Sequence, residues 1–354
     1  MDLALTYDDV ALVPQFRNIA SRAEPTLETW LTKDIKIGIP FIPSNMDSVI
    51  GLELGEILHR YNGAAIHHRF RSHSDLNKLL EKLPSGRRYI SWGSNKIDTL
   101  DYLLNKVSIP IDLLCFDIAH GHDKQLMDAI DLIKKRHNIQ VIAGNVCTPM
   151  GYQDLVNAGA DAVKVGIGPG SICTTRMVTG FGIPQFSAVR SCAEVAKKLQ
   201  VPIIADGGIR NSRDIVLALA AGASTVMIGK LFAATHESAA EKRTSCLDER
   251  GPCNCVPGVH DGDPRFFTFA KYRGQASAQF QQDYYGEVKN GTVPEGEDMW
   301  IKVVKSADDV IKELSAGIRS GLTYGGARSI KELQRKAEFV RVTPSYYLES
   351  NTRK

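Results

Sequence analysis

Ala162-Val163-Lys164-Val165-Gly166-Ile167-Gly168-Pro169-Gly170-Ser171-Ile172-Cys173-Thr174-Thr175-Arg176 joins a short apolar strand to a loop that carries chemistry. Three glycines and a proline hold the backbone open. The loop then delivers the Ser171 hydroxyl, the Cys173 thiol and the Thr175 hydroxyl in quick succession. Such a loop can turn amide N–H groups toward an anion and present a nucleophile beside them. The competing reading of Cys173 is a small buried hydrophobe; a purely structural loop has little use for the neighbouring hydroxyls.

The same strand-then-loop pattern recurs outward in both directions. Apolar runs at residues 40–42, 64–66, 89–90, 113–116, 141–143, 202–205 and 225–228 alternate with segments of helical spacing, such as Leu126, Ile130 and Ile133. Each run breaks at its C-terminal side into polar or glycine residues: Ser44-Asn45, His67-His68, Ser91, Asp117, Gly144-Asn145, Asp206-Gly207-Gly208 and Gly229-Lys230. Strands alternating with helices make right-handed βαβ units and a parallel sheet. Together with residues 162–165 the runs make eight strands with their chemistry at one end. That predicts the α/β class and a (β/α)8 TIM barrel, one domain over residues 1–354. A doubly wound open sheet is the alternative, but its glycine signature would follow the first strand, where none stands. Residues 233–310, rich in Gly, Asp, Pro and Gln, lose the pattern and are expected to form a long active-site flap. Phe339-Val340-Arg341-Val342 reads as a late strand.

Composition narrows the class of partner. The chain has 354 residues, 43% hydrophobic and 23% charged, as soluble globular proteins do. A net charge of +3, with basic clusters such as Lys134-Lys135-Arg136-His137 on helix-like segments, indicates solvated faces and no nucleic-acid partner. No apolar run approaches the ~20 residues that span a bilayer, so no membrane partner is expected. The acidic start lacks a signal-peptide pattern, and seven scattered cysteines read as reduced thiols; the expected location is cytoplasmic.

Four constellations carry candidate chemistry. Asp206-Gly207-Gly208 and Gly229 end the seventh and eighth strands, where barrels often hold phosphate on backbone N–H groups. An ionised Asp206 could accept two hydrogen bonds from a ribose diol. With Cys173 nearby this indicates a nucleoside monophosphate; two ordinary tight turns are the bland reading. Thr175 is a hydrogen-bond relay that needs a carboxylate, and Glu295 in Val293-Pro294-Glu295-Gly296-Glu297 is the flap's candidate. Asp117-Ile118-Ala119-His120-Gly121-His122 invites a metal reading, yet residues two apart share no helix face, and a carboxylate on a sugar hydroxyl fits better. Cys246, Cys253, Cys255 and His260 have poor zinc spacing and read as free thiols in a flap.

The stretch Gly166 to Arg176 resembles the active-site loop of the IMP dehydrogenase and GMP reductase family. So do Leu5-Thr6-Tyr7-Asp8-Asp9-Val10, Asn45-Met46-Asp47, Asp117 to His122, Gly144-Asn145-Val146, Asp206 to Arg210, Val226-Met227-Ile228-Gly229 and Tyr272-Arg273-Gly274. The resemblance implies a homotetramer of TIM barrels in which Cys173 attacks C2 of a purine nucleotide, GMP or IMP, and a nicotinamide cofactor exchanges hydride there. It implies catalytic roles for Cys173, Thr175 and Glu295. Substrate contacts would come from Ser171, Asp206, Gly207, Gly208, Gly229, Tyr272, Gly274, Gln275 and Ala276, and cofactor contacts from Asp117, Ala119 and Asn145. It also implies a potassium (K+) site on the carbonyls of Gly166, Gly168 and Cys173.

Three features resemble the reductase branch. The family's dehydrogenases usually insert a CBS pair between early strands, and the passage through Tyr89-Ile90-Ser91-Trp92-Gly93 leaves no room for it. Their flap carries an arginine, whereas counting back twelve from Glu295 lands on Asp283-Tyr284. Residues 275–281 and His68-Arg69-Phe70 resemble a bacterial GMP reductase. The expectation is an NADPH-dependent GMP reductase. Residues 5–10, 206–210 and Arg319-Ser320-Gly321-Leu322 are dehydrogenase-like, so an IMP dehydrogenase without the CBS module is the alternative. Gln275 stands where both branches usually have methionine, and His68 where many reductases have lysine. A nucleotide-binding barrel with little catalysis is a third reading.

Overall fold

Side-chain alternation along short parallel strands builds the core in two layers. The computed structural model describes residues 3–94, 97–106, 109–248, 251–252, 266–288, 291 and 293–350. Three small strands come first: β1 (Val10–Leu12), β2 (Thr29–Trp30) and β3 (Lys36–Ile37). The barrel strands follow as β4 (Phe41–Pro43), β5 (Tyr89–Trp92), β6 (Leu113–Asp117), β7 (Gln140–Val146), β8 (Ala162–Val165), β9 (Ile203–Asp206) and β10 (Thr225–Ile228). They pair in parallel in the order β4-β10-β9-β8-β7-β6-β5. Because β10 returns to β4, the sheet curls on itself, as a (β/α)8 barrel requires. The stave expected at residues 64–66 forms no ladder. It makes one bridge, His67 to Ile90, while Ala64 and Ile66 still fill the interior.

Period two sorts the residues. Ile42, Ile66, Leu113, Cys115, Ile142, Ala162, Ile204 and Met227 pack inside the barrel. Their sequence neighbours, such as Phe41, Leu114, Val163, Ile203 and Val226, pack outward against the helices. The β2–β3 hairpin adds Leu31 and Ile37 to the inner cluster and closes the end where the strands begin. At the other end the inward positions become polar: Asp117 on β6, Lys164 on β8 and Asp206 on β9.

The segment expected to lose regular pattern contains an antiparallel sheet. It is formed by β11 (Lys242–Asp248), β12 (Gly251–Pro252), β13 (Phe266–Arg273) and β14 (Asp298–Lys302), in the order β12-β11-β13-β14. Only two residues separate β11 from β12, but long connections join β12 to β13 and β13 to β14, in place of the short turns that would have announced hairpins. The late strand, β15 (Phe339–Arg341), pairs antiparallel with β1. No helix among the described residues is long and apolar enough to cross a membrane.

Candidate active site

The loop after β8 and the flap meet around one thiol. Cys173 Sγ lies 3.2 Å from Thr175 Oγ1, and Thr175 Oγ1 lies 2.8 Å from Glu295 Oε2. The chain of donors therefore runs thiol to hydroxyl to carboxylate. Glu295 is held there by backbone pairing. Thr174 N–H donates to Glu295 O (3.0 Å), Glu297 N–H to Ile172 O (2.9 Å) and Glu295 N–H to Ala276 O (3.2 Å). The flap segment is thus stitched between the Cys173 loop and residues 274–277. Thr175 also opens a short helix, Thr175–Thr179, which fixes its backbone.

Beneath the loop, the C-terminal ends of the strands form a polar floor. Lys164 Nζ sits 2.5 Å from Asp117 Oδ1 and 2.9 Å from Asp206 Oδ2. Asn45 Nδ2 donates to Asp117 Oδ2 (2.9 Å), and Asn145 Nδ2 to Asp206 Oδ2 (2.9 Å) and Gly166 O (2.8 Å). Arg69 donates to the Asp117 carbonyl oxygen. Burial alone would raise the Asp117 carboxyl and lower the Lys164 ammonium. The attraction between them, with Arg69 and Asp206 contributing, outweighs it: Asp117 falls below the usual carboxylate range and Lys164 rises above that of lysine.

Loop, floor and flap enclose a cavity of about 670 Å³ whose wall includes Asp117, Ala119, Asn145, Ser171, Cys173, Thr175, Asp206, Gly208, Gly229, Tyr272, Gln275 and Glu295. Gly207 and Gly208 adopt φ of +88° and +79°, the left-handed turn that glycine tolerates. At Gly229 a Cβ would stand 2.2 Å from Tyr272 Oη, so the tyrosine uses the space of a missing side chain. Burial pushes the Tyr272 hydroxyl up to about 12, although its bond with Ser171 opposes the rise; it stays a neutral donor.

The flap is anchored on its outer side. Arg273 Nε is 2.9 Å from Asp47 Oδ2, and its NH1 is 2.6 Å from Asp283 Oδ2. Gln275 Nε2 donates to Asn45 O at 2.8 Å. Helix Ala278–Tyr285 docks on Phe70, whose ring centroid lies 4.5 Å from that of Phe280 and 5.0 Å from that of Tyr284.

Comparison with known proteins decides the family. The model of the IMP dehydrogenase / GMP reductase domain matches residues 4–249 and 264–353. The chain belongs to this family. Inosine-5′-monophosphate dehydrogenase from Aquifex aeolicus is 44% identical over 261 residues, covering 72% of this chain and 49% of that enzyme. The chain therefore spans about half the length of that curated relative. The Cryptosporidium parvum dehydrogenase is 34% identical, covering 98% of this chain and 94% of its own. Among solved structures, a cysteine-to-alanine variant of Trypanosoma brucei GMP reductase with guanosine 5′-monophosphate matches with TM-score 0.86 and 26% identity, covering 100% and 98% of the two chains.

The family's nicotinamide cofactor fits the residues present. Asn145 Oδ1 is buried without a partner in the cavity wall, an acceptor suited to a carboxamide N–H. The fit to potassium is incomplete. The Gly166 carbonyl already accepts from Asn145, and the loop carries its own cation: the Arg176 guanidinium donates to Ile167 O (3.1 Å) and Ile183 O (2.7 Å). No group of three or more potential metal-ligating side chains occurs among the described residues. His122 instead meets Asp154 at 2.8 Å. Cys253, Cys255 and His260 lie outside the described residues, as does the Cys246 side chain. Sequence reading missed Lys164 as part of the site; the available signal was one cation inside a four-residue apolar strand.

Proposed function

We propose that this protein reduces GMP to IMP and ammonia through a covalent bond between Cys173 and C2 of the purine. The observation that carries the reading is the Cys173–Thr175–Glu295 relay, which ends on a carboxylate at 2.8 Å. The thiol proton passes through Thr175 to Glu295, and the thiolate attacks C2. Glu295 returns that proton through Thr175 to the departing amino group, and the C2–N bond breaks to release ammonia. Asp117, Ala119 and Asn145 would hold a reduced nicotinamide, which when bound would supply the hydride that C2 needs. The Cys173 thiolate then leaves and IMP is free. Gly207, Gly208, Gly229, Ser171 and Tyr272 cradle the phosphate, Asp206 the ribose, and Gly274, Gln275 and Ala276 face the base. NADPH is the cofactor of this reading.

The position where a dehydrogenase arginine is expected supports the reductase direction. Asp283 there is paired with Arg273, and Tyr284 packs on Phe70 and Phe280. The working unit is a homotetramer, a reading supported by Met177 and Phe181, which are 89% and 78% exposed beside the catalytic loop. IMP oxidation to XMP is the second reading, favoured by curated relatives named as dehydrogenases at 34–44% identity. Two spectrophotometric assays separate them. NADPH consumption with GMP supports reduction; NAD reduction with IMP, and no turnover of GMP, replaces it with dehydrogenation.

A further inference from the structure

Lys164 occupies a position that the strand pattern gives to an apolar side chain. β8 is buried throughout, and Lys164 is 1% exposed. Its side chain leaves β8, crosses β7 and reaches Asp117 on β6, while also holding Asp206 on β9. The crossing is open because β7 offers Gly144 there. A Cβ on Gly144 would stand 2.7 Å from both Lys164 Cβ and Lys164 O, and Gly144 is the residue that pairs with Asp117 across the two strands. An ammonium has three N–H bonds. Two go to the carboxylates, and the third faces Met227 Sδ at 3.8 Å. Lys164 therefore has no donor left for a ligand and acts through the aspartates.

Two partly buried carboxylates, their side chains 19% and 17% exposed, repel each other when the cation they share is removed. The remaining groups around them do not replace it. Cys115, facing inward from β6, has a thiol that burial pushes up to about 12. Arg69 attracts Asp117 but donates to its carbonyl oxygen and not to the carboxylate that Lys164 holds, and Asn45 and Asn145 are neutral. The geometry points to Lys164 as a positioning residue that holds Asp117 and Asp206 in register and couples nucleotide binding to cofactor binding. The inference rests on the reading of the cavity as a purine nucleotide and nicotinamide site. A ribose that donates to Asp206 alters the hold of Lys164 on Asp117, and linkage makes the effect reciprocal.

Calorimetric titration of GMP, with and without saturating NADP+, tests this on the wild type, K164M, K164R and the charge-balanced D117N/K164M. In the wild type, NADP+ should change GMP affinity by about 10-fold. In K164M that factor should fall to about 1, GMP should bind more weakly, and kcat with NADPH should drop about 100-fold. D117N/K164M should recover GMP affinity without recovering turnover or coupling, and K164R should recover part of both. Should K164M fail to fold, the double variant carries the test, since it leaves no uncompensated carboxylate pair. Unchanged coupling and kcat within threefold of wild type, in a folded K164M or in the double variant, overturn the inference while leaving the proposed reaction standing. Failure of the wild type to bind GMP at all removes both.

Discussion

Gly229→Ala should disable, through one atom, the end of the cavity proposed to hold the phosphate. The added Cβ would lie 2.2 Å from Tyr272 Oη and 3.1 Å from Tyr272 Cζ. Carbon and oxygen sit comfortably only beyond about 3.3 Å, so the hydroxyl must retreat by about 1 Å. Tyr272 cannot swing freely. It is 4% exposed and paired with Met299 in the β13–β14 ladder. Overpacking of this kind costs about 1–3 kcal/mol, which for a chain of this length lowers Tm by about 1–4 °C. The displaced hydroxyl also leaves Ser171 and, on the proposed reading, the phosphate; a hydrogen bond to a charged group contributes about 1.5–3 kcal/mol, so GMP affinity should fall about 10- to 150-fold. The double variant Gly229→Ala/Tyr272→Phe removes the colliding oxygen. It should regain most of the lost Tm but none of the affinity, whereas Tyr272→Phe alone should lose affinity with little change in Tm. Calorimetric binding and thermal denaturation measure the two effects separately. A Gly229→Ala protein with Tm within 1 °C and affinity within about twofold of wild type would refute the steric argument.

Cys173→Ala should abolish turnover yet keep GMP binding within a few-fold by calorimetry; measurable turnover would eliminate the covalent route. Glu295→Gln should lower kcat about 10²- to 10⁴-fold with little change in KM, because the amide keeps the shape but cannot carry the proton; an equal rise in KM instead would mean that Glu295 only shapes the flap. Stability should depend on pH through His67 and His68, each lowered to about 3, chiefly by burial and then by the Arg71 charge. The unfolded chain takes up these protons below about pH 6.5 and the folded chain does not, so stability is full above that pH and falls as pH drops toward 3. Each histidine then costs about 1.4 kcal/mol at pH 5.5. Urea unfolding at pH 7.5 and 5.5 should show this slope, and His67→Leu should reduce it; an unchanged slope in the variant would assign it to other groups.

The barrel was legible because its signal is local. Alternation of Leu113, Cys115 and Asp117 with Leu114 and Phe116, repeated strand after strand, needs no distant partner to be read, and neither does the glycine loop that presents Cys173. The segment at residues 64–66 carries the same apolar signal, but pairing depends on its neighbours, and it forms a single bridge. The sheet of β11–β14 escaped for a related reason: its main pairings, β11 with β13 and β13 with β14, join strands far apart along the chain, and that separation hides them. Glu295 was a candidate because Thr175 needs a carboxylate and the flap offers one, but one glutamate in an acidic stretch has no local mark to single it out. Its contact with Thr175 spans 120 residues and exists because backbone bonds zip the flap to the loop. Lys164 shows the division most clearly. Along the chain it is one lysine in an apolar strand; in the barrel, the inward face of β8, the bare Gly144 on β7 and two carboxylates on β6 and β9 make it the centre of the site. Residue type and spacing settle which strands and loops form. Which side chains share a charge depends on the closure of the barrel, because electrostatic partners are chosen by distance in space and by exclusion of water, and neither is written in the order of residues.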